Sequence, residues 1–122
     1  MSIRVLIVDE SSTMRKIMIR SLNSAGITEV IEAGDGAEAL HLFSQANWQL
    51  VLLEWNMTGK NGLEVLQEIR AQGSDVPVIM VTAEAEPSRV TAAIQAGATD
   101  YIIRPFTADL LHQKLERYCA MT

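Results

Sequence analysis

Five short apolar runs alternate with segments of helical period, and that alternation restricts the chain to repeated βα units built on a parallel sheet. The strands centre on Val5–Val8, Glu29–Ala33, Leu50–Leu53, Val78–Val81 and Tyr101–Ile103. The first, third and fourth are apolar throughout, as strands buried on both faces must be. The second carries Glu29 and Glu32 and reads as an edge.

The helical segments have their own punctuation. The first follows Ser11-Ser12, good N-cap types, and carries Met14, Ile17, Met18, Leu22 and Ala25 on one face until Gly26 stops it. The second runs from about Gly36 to Gln45 with Ala37, Leu40 and Phe43 inward. The third follows Gly62 and presents Leu63, Leu66 and Ile69. The fourth begins at Pro87-Ser88, with proline suited to a first turn, and ends at Gly97. The fifth spans about Thr107 or Ala108 to Tyr118, with Leu110, Leu111, Leu115 and Tyr118 as its stripe.

At 122 residues and 48% hydrophobic, the chain is long enough to bury a core without covalent staples, and residues 1–122 read as one domain. A single cysteine, Cys119, excludes an intrachain disulfide and fits a reducing compartment. No apolar run approaches bilayer length and no basic-apolar leader opens the chain. The expected location is the cytoplasm, with no membrane partner. A net charge of −5 argues against nucleic acid, whose phosphates require a cationic surface. Protein partners are expected instead.

Four of the five strands deliver polar residues at their carboxyl ends, where open α/β sheets bind their ligands. The first gives Asp9 and Glu10, the third Glu54, the fourth Thr82 and the fifth Arg104. Three carboxylates close together need a cation or a proton, and an all-oxygen set favours Mg²⁺ or Mn²⁺. With Arg104 and Thr82 added, the parts suit a phosphoryl group. Asp9 and Glu10 also fit a plainer role, as acids at the positive end of a helix. Thr82 alone would read as a cap of its own turn. Arg104-Pro105 marks a fixed corner.

These residues resemble the CheY-like receiver domains of two-component response regulators over essentially the whole chain. The segments that carry the resemblance are Val5 through Arg15, Ala33-Gly34-Asp35-Gly36-Ala37-Glu38-Ala39-Leu40, Trp55-Asn56-Met57 with Gly62-Leu63-Glu64, Met80 through Ala85, Ala96-Gly97-Ala98 and Tyr101 through Phe106. The resemblance implies an α/β, flavodoxin-like, doubly wound (βα)5 fold with a five-stranded parallel sheet in the order 2-1-3-4-5. It also implies a phosphoacceptor position at Glu54, and Mg²⁺ held by Asp9, Glu10, Glu54 and the backbone carbonyl of Asn56. Thr82, Tyr101 and Arg104 would then sense the phosphoryl group.

The match departs from the family at its centre. Position 54 is glutamate where the family has aspartate, position 104 arginine for lysine, and position 58 threonine for the usual proline. Glu10 and Gln49 stand where aspartate is commonest. One extra methylene moves the carboxylate outward by about 1.5 Å, and a misplacement near 1 Å costs an in-line attack about 100-fold. Little or no phosphorylation at Glu54 is expected, with Mg²⁺ binding weakened. Arg104 can pair bidentately with Glu54 and replace the phosphoryl contact. Such a pair could hold an active arrangement or an inactive one, and the sequence leaves both open. Glutamate supplies one charge and two oxygens against the heavier charge and three oxygens of a phosphoryl group.

The expected function is therefore a signalling module acting by protein contact, not an enzyme. The alternatives are a small Mg²⁺-dependent phosphotransfer or phosphatase enzyme, for which no added catalytic segment appears, and a working receiver carrying an engineered Asp-to-Glu change, which leaves Arg104 and Thr58 unexplained. By the resemblance, partners such as a histidine kinase, a phosphatase or a downstream target meet the fourth helix, fifth strand and fifth helix. The first helix, with Arg15, Lys16 and Arg20, offers a second face. A monomer or weak dimer is expected. The chain ends directly after its fifth helix, which suits a stand-alone protein and an excised module alike.

Overall fold

The computed structural model describes residues 3–119. In chain order its elements are β1 (Arg4–Val8), α1 (Ser12–Ser24), β2 (Glu29–Ala33), α2 (Gly36–Phe43), β3 (Leu50–Leu53), α3 (Gly62–Ala71), β4 (Val78–Thr82), α4 (Pro87–Gln95), β5 (Asp100–Ile103) and α5 (Ala108–Cys119). The strands form one sheet in the order β2-β1-β3-β4-β5, and every neighbouring pair is parallel. The parallel βα sheet is what the alternation of runs predicts, and its doubly wound order is the one the resemblance implies.

Side chains alternate across each strand, so the sheet carries a separate core on each face. Leu6, Val8, Val51, Leu53, Val78 and Met80 pack with Phe43 of α2, Val65, Leu66 and Ile69 of α3, and Ala93 of α4. Val5, Ile7, Leu50, Leu52, Ile79 and Val81 pack with Met18 and Leu22 of α1 and Leu111 and Leu115 of α5. Burial on both faces is what makes β1, β3 and β4 read as unbroken apolar runs. β2 exposes Glu29, Ile31 and Glu32, as an edge strand does.

The helix starts follow their caps. Ser11 accepts from the Met14 amide at 3.2 Å, and Asp35 accepts from the Glu38 amide at 2.7 Å. Asn61 and Glu64 form a reciprocal capping box at α3. Gly26 and Gly97 follow α1 and α4 with φ of 88° and 106°, left-handed conformations that end a helix.

Some expected details differ. Ile17 is 43% exposed, because it lies one residue, about 100° of rotation, from Met18, which occupies the centre of the inward face. In α2 the buried positions are Gly36, Ala39 and Phe43, while Ala37 is exposed. The register is set by Phe43, which fixes Ala39 four residues earlier on the same face. α2 also ends at Phe43 rather than Gln45. In α3 Val65 is fully buried and Leu63 only partly.

Candidate functional site

The register brings the polar strand ends together. Val8 pairs with Leu53, so Asp9 and Glu54 leave adjacent strands side by side. Thr82 pairs with Ile103, and the Arg104 amide donates to the Thr82 carbonyl at 2.9 Å, so Arg104 emerges beyond Thr82. Asp9, Glu54 and Thr82 are the buried polar residues of the described chain, at 3%, 4% and 0% exposure.

Glu54 is engaged at both oxygens. Its Oε2 accepts from its own loop, from the Trp55 amide at 2.6 Å and the Asn56 amide at 3.4 Å. Its Oε1 accepts from Nη2 of Arg104. The glutamate side chain is long enough to curl back over the first residues of the β3–α3 loop, which sequesters the extra length that the sequence places in the pocket.

The loop around this carboxylate is tightly closed. The Gly62 amide donates to the Trp55 carbonyl at 2.9 Å. A Cβ at position 62 would lie 2.1 Å from the Glu54 carbonyl oxygen. Only glycine allows the start of α3 to approach the end of β3 this closely.

Arg104 does not make the bidentate pair expected of it. Its fork is divided, with Nη2 on Glu54 and Nη1 3.8 Å from Asp9 Oδ2, because Glu54 Oε2 is already taken by backbone amides. Asp9 Oδ2 and Arg104 Nε are buried without a hydrogen-bond partner. The other Asp9 oxygen accepts from the Ser11 amide at 2.8 Å. The peptide bond between Arg104 and Pro105 is cis.

Glu10 stands apart from its neighbour. It is exposed, and its Oε2 accepts both the Thr58 amide, at 3.0 Å, and the Thr58 hydroxyl. These two bonds, the hydroxyl first, hold the Glu10 carboxyl below the ordinary range. Among the described residues no three His, Cys, Asp or Glu side chains are grouped as metal ligands. Asn56 contributes its amide, to Glu54. Asp9, Glu10 and Glu54 are thus not grouped as a set of metal ligands among the described residues, and a guanidinium stands beside Asp9 and Glu54. Among the described residues, Asp9 Oδ2 is the buried side-chain oxygen left without a hydrogen-bond partner.

Thr82 and Tyr101 both act on the β4–α4 loop. The Glu84 amide donates to Thr82 Oγ1 at 3.1 Å, and the Tyr101 hydroxyl donates to the Glu84 carbonyl at 2.6 Å. Burial, followed by the charges of Glu84 and Glu54, raises the Tyr101 pKa, so the ring stays a neutral donor. No hydrogen bond joins Thr82 to Glu54 among the described residues; the hydroxyl serves its own turn.

Two arginines carry roles that residue type alone did not single out. Arg89 lies over the Trp55 ring at 5.5 Å from its centroid and 3.8 Å from Glu84. It reaches Trp55 of the β3–α3 loop from the first turn of α4, a pairing between distant segments that no local pattern encodes. Arg15 points inward, donating to the Asp9 carbonyl at 2.6 Å and to Glu32 at 2.8 Å. That removes it from the basic face of α1, where Lys16 and Arg20 are exposed. Trp48 donates its indole N–H to the Phe43 carbonyl at 3.1 Å and packs on the adjoining core.

Comparison with known proteins gives a consistent result. Residues 5–116 match the family described as response regulator receiver domain. The chain is 40% identical over 116 residues to the chemotaxis protein CheY of Pseudomonas aeruginosa, covering 93% of this chain and 94% of that protein. It is 40% identical over 118 residues to CheY-3 of Vibrio cholerae serotype O1, covering 95% and 91%. Among solved structures, Vibrio cholerae chemotaxis protein CheY4 superposes with a TM-score of 0.90 at 31% identity, covering 97% of this chain and 99% of that one. A Francisella response regulator 1452 receiver domain superposes with a TM-score of 0.89 at 25% identity, covering 99% and 100%.

Proposed function

Because the chain belongs to the response regulator receiver domain family of two-component signalling, we propose that it is an atypical receiver, one whose switch position is held by an internal ion pair in place of a phosphoryl group. Receiver domains and their CheY relatives are signalling proteins rather than enzymes as a class. In this reading residues 1–122 form a single receiver domain that acts in the cytoplasm by protein contact and catalyses no reaction of its own. No described helix is long and apolar enough to cross a membrane.

The observation that carries the proposal is the engagement of Glu54. Attack on a phosphodonor requires a carboxylate oxygen free to approach phosphorus in line. Here one oxygen faces two backbone amides and the other a guanidinium. Mg²⁺, which receivers of this family use, would bring charge for an incoming phosphoryl group. Its binding is weakened here, since Glu10 and Glu54 are both committed to other partners.

The switch elements fit the same proposal. Tyr101 and Thr82 are both tied to Glu84, so the β4–α4 loop takes one fixed arrangement without a phosphoryl signal. Inverting a strongly biased two-state equilibrium takes about 5.5 kcal/mol of differential stabilisation, more than one imperfect pair supplies. The protein is accordingly read as fixed in one state. Its partners, a histidine kinase, a phosphatase or a downstream target, are assigned to the α4–β5–α5 face, where Ile94 and Ile103 are 48% and 43% exposed. Lys16 and Arg20 of α1 form the second face, and the molecule is a monomer or weak dimer.

Amide spectra recorded with and without acetyl phosphate and excess Mg²⁺ test this. The resonances of residues 82–89 and Tyr101 are expected to stay in place in the natural sequence and to shift in a Glu54→Asp/Arg104→Lys variant. A donor-dependent shift of those resonances in the natural sequence overturns the proposal.

A further inference from the structure

We infer that Thr58 lowers the affinity of the acidic pocket for a divalent cation, by holding the Glu10 carboxylate on the outer rim of the β3–α3 loop. The inference rests on the family reading above for where a cation would sit, and it adds a specific device to it.

The position of Glu10 is the starting point. Asp9 and Glu10 are adjacent in the chain, yet Asp9 is 3% exposed and Glu10 lies in the open. Glu10 borders an outer depression of about 380 Å³ whose lining includes Trp55, Asn56, Thr58, Asn61 and Arg89; neither Asp9 nor Glu54 lines it. Water and the like charge of Asp9 and Glu54 favour an outward carboxylate, and a specific contact then fixes it there. Thr58 supplies two donors to the same oxygen, its backbone N–H at 3.0 Å and its hydroxyl.

Both donors depend on residue identity. A proline at this position has no backbone N–H and no hydroxyl, so it would release Glu10 entirely. A valine keeps the N–H and the branched shape but loses the hydroxyl bond. The second half of the device is Arg104. With Glu10 withdrawn, the charge of Asp9 and Glu54 is balanced by the guanidinium, 3.8 Å from Asp9 and bonded to Glu54. A divalent ion entering this space would meet a fixed like charge beside Asp9 Oδ2, the buried carboxylate oxygen left without a hydrogen-bond partner among the described residues, whereas hard cations require about six or more oxygen ligands, several from water. The two contacts therefore act together, but only the Thr58 contact can be released without disturbing a buried group.

The test is a titration with Mn²⁺ followed by the loss of its free-ion electron paramagnetic resonance signal, repeated with Mg²⁺ by competition. No phosphodonor is present. Thr58→Pro is expected to bind Mn²⁺ about tenfold more tightly than the natural sequence, each of the two solvent-exposed hydrogen bonds being discounted to roughly threefold. Thr58→Val should gain roughly threefold on the same scale, and it carries the test if far-UV circular dichroism shows that Thr58→Pro does not fold. Adding Glu10→Ala to either variant should abolish the gain. Folded Thr58 variants that titrate like the natural sequence overturn the inference, as does a gain that survives Glu10→Ala. Phosphoryl uptake is scored separately by mass, so a natural sequence that accepts phosphate would refute the proposed function while the metal titration still decides the role of Thr58.

Discussion

Replacing Arg104 with methionine removes the counter-charge of two buried carboxylates while keeping an unbranched chain of similar reach. Glu54 is 4% exposed and Arg104 19%, so the pair is shielded from water on one side and partly screened on the other. Removing one partner of a buried pair costs about 3–5 kcal/mol. The residual exposure of Arg104 and the two amides still facing Glu54 Oε2 place this case near the lower bound, about 3 kcal/mol. With a urea m-value of about 1.5 kcal/mol/M, the midpoint should fall by about 2 M while m stays constant. Neutralising the stranded group should then restore stability, so Arg104→Met/Glu54→Gln is expected to recover about 2 kcal/mol of the loss. Recovery stays incomplete because Asp9 Oδ2 also loses its nearest cation. A loss below about 0.5 kcal/mol, the scale of a solvent-exposed pair, refutes the reasoning, and so does the absence of any recovery in the double variant.

Three further outcomes follow from other parts of the molecule. Gly62→Ala forces a Cβ against the Glu54 carbonyl oxygen and should cost about 1–3 kcal/mol by urea denaturation; an unchanged midpoint would mean the loop is less closed than described. Asp100 is raised by burial, but bonds from Lys114, Tyr118 and the Tyr101 amide outweigh this and leave its pKa lowered. A lowered folded pKa gives stability that is present above the unfolded value, about 3.9, and is lost as pH falls through the folded value. Stability measured from neutral pH into that acidic range should therefore drop less steeply in Asp100→Asn, and parallel curves would contradict this. Burial pushes the Cys119 thiol up to about 11, so the native protein should react with a disulfide reagent roughly 100-fold more slowly than an ordinary thiol; rapid labelling of the folded state would rule this out.

How far the sequence could be read depended on whether a feature was local. β1, β3 and β4 were legible because burial on both faces demands unbroken apolar residues, and β2 because its two glutamates can only face water. The gathering of Asp9, Glu54, Thr82 and Arg104 was legible as well, since parallel strands in a doubly wound sheet all end on one side. The directions of the long side chains were not. Glu10 is held outward by both donors of Thr58, 48 residues away, and nothing near Glu10 encodes that contact. Arg15 looked like one more cation of α1, yet it ties the Asp9 carbonyl to Glu32 of β2. The fork of Arg104 divides between two acids because the Trp55 and Asn56 amides already hold one Glu54 oxygen, a backbone detail that residue types do not carry. Ile17 shows the same limit within one helix, where spacing admits several faces and tertiary packing selects the one led by Met18.

The central claim, that Glu54 is held by an internal pair and carries no phosphoryl group, is tested most directly by intact mass after incubation with acetyl phosphate and excess Mg²⁺. The natural sequence should remain at its own mass, while Glu54→Asp/Arg104→Lys, run in parallel, should gain one phosphoryl group. A phosphoryl group found on the natural protein and mapped to Glu54 would contradict the account.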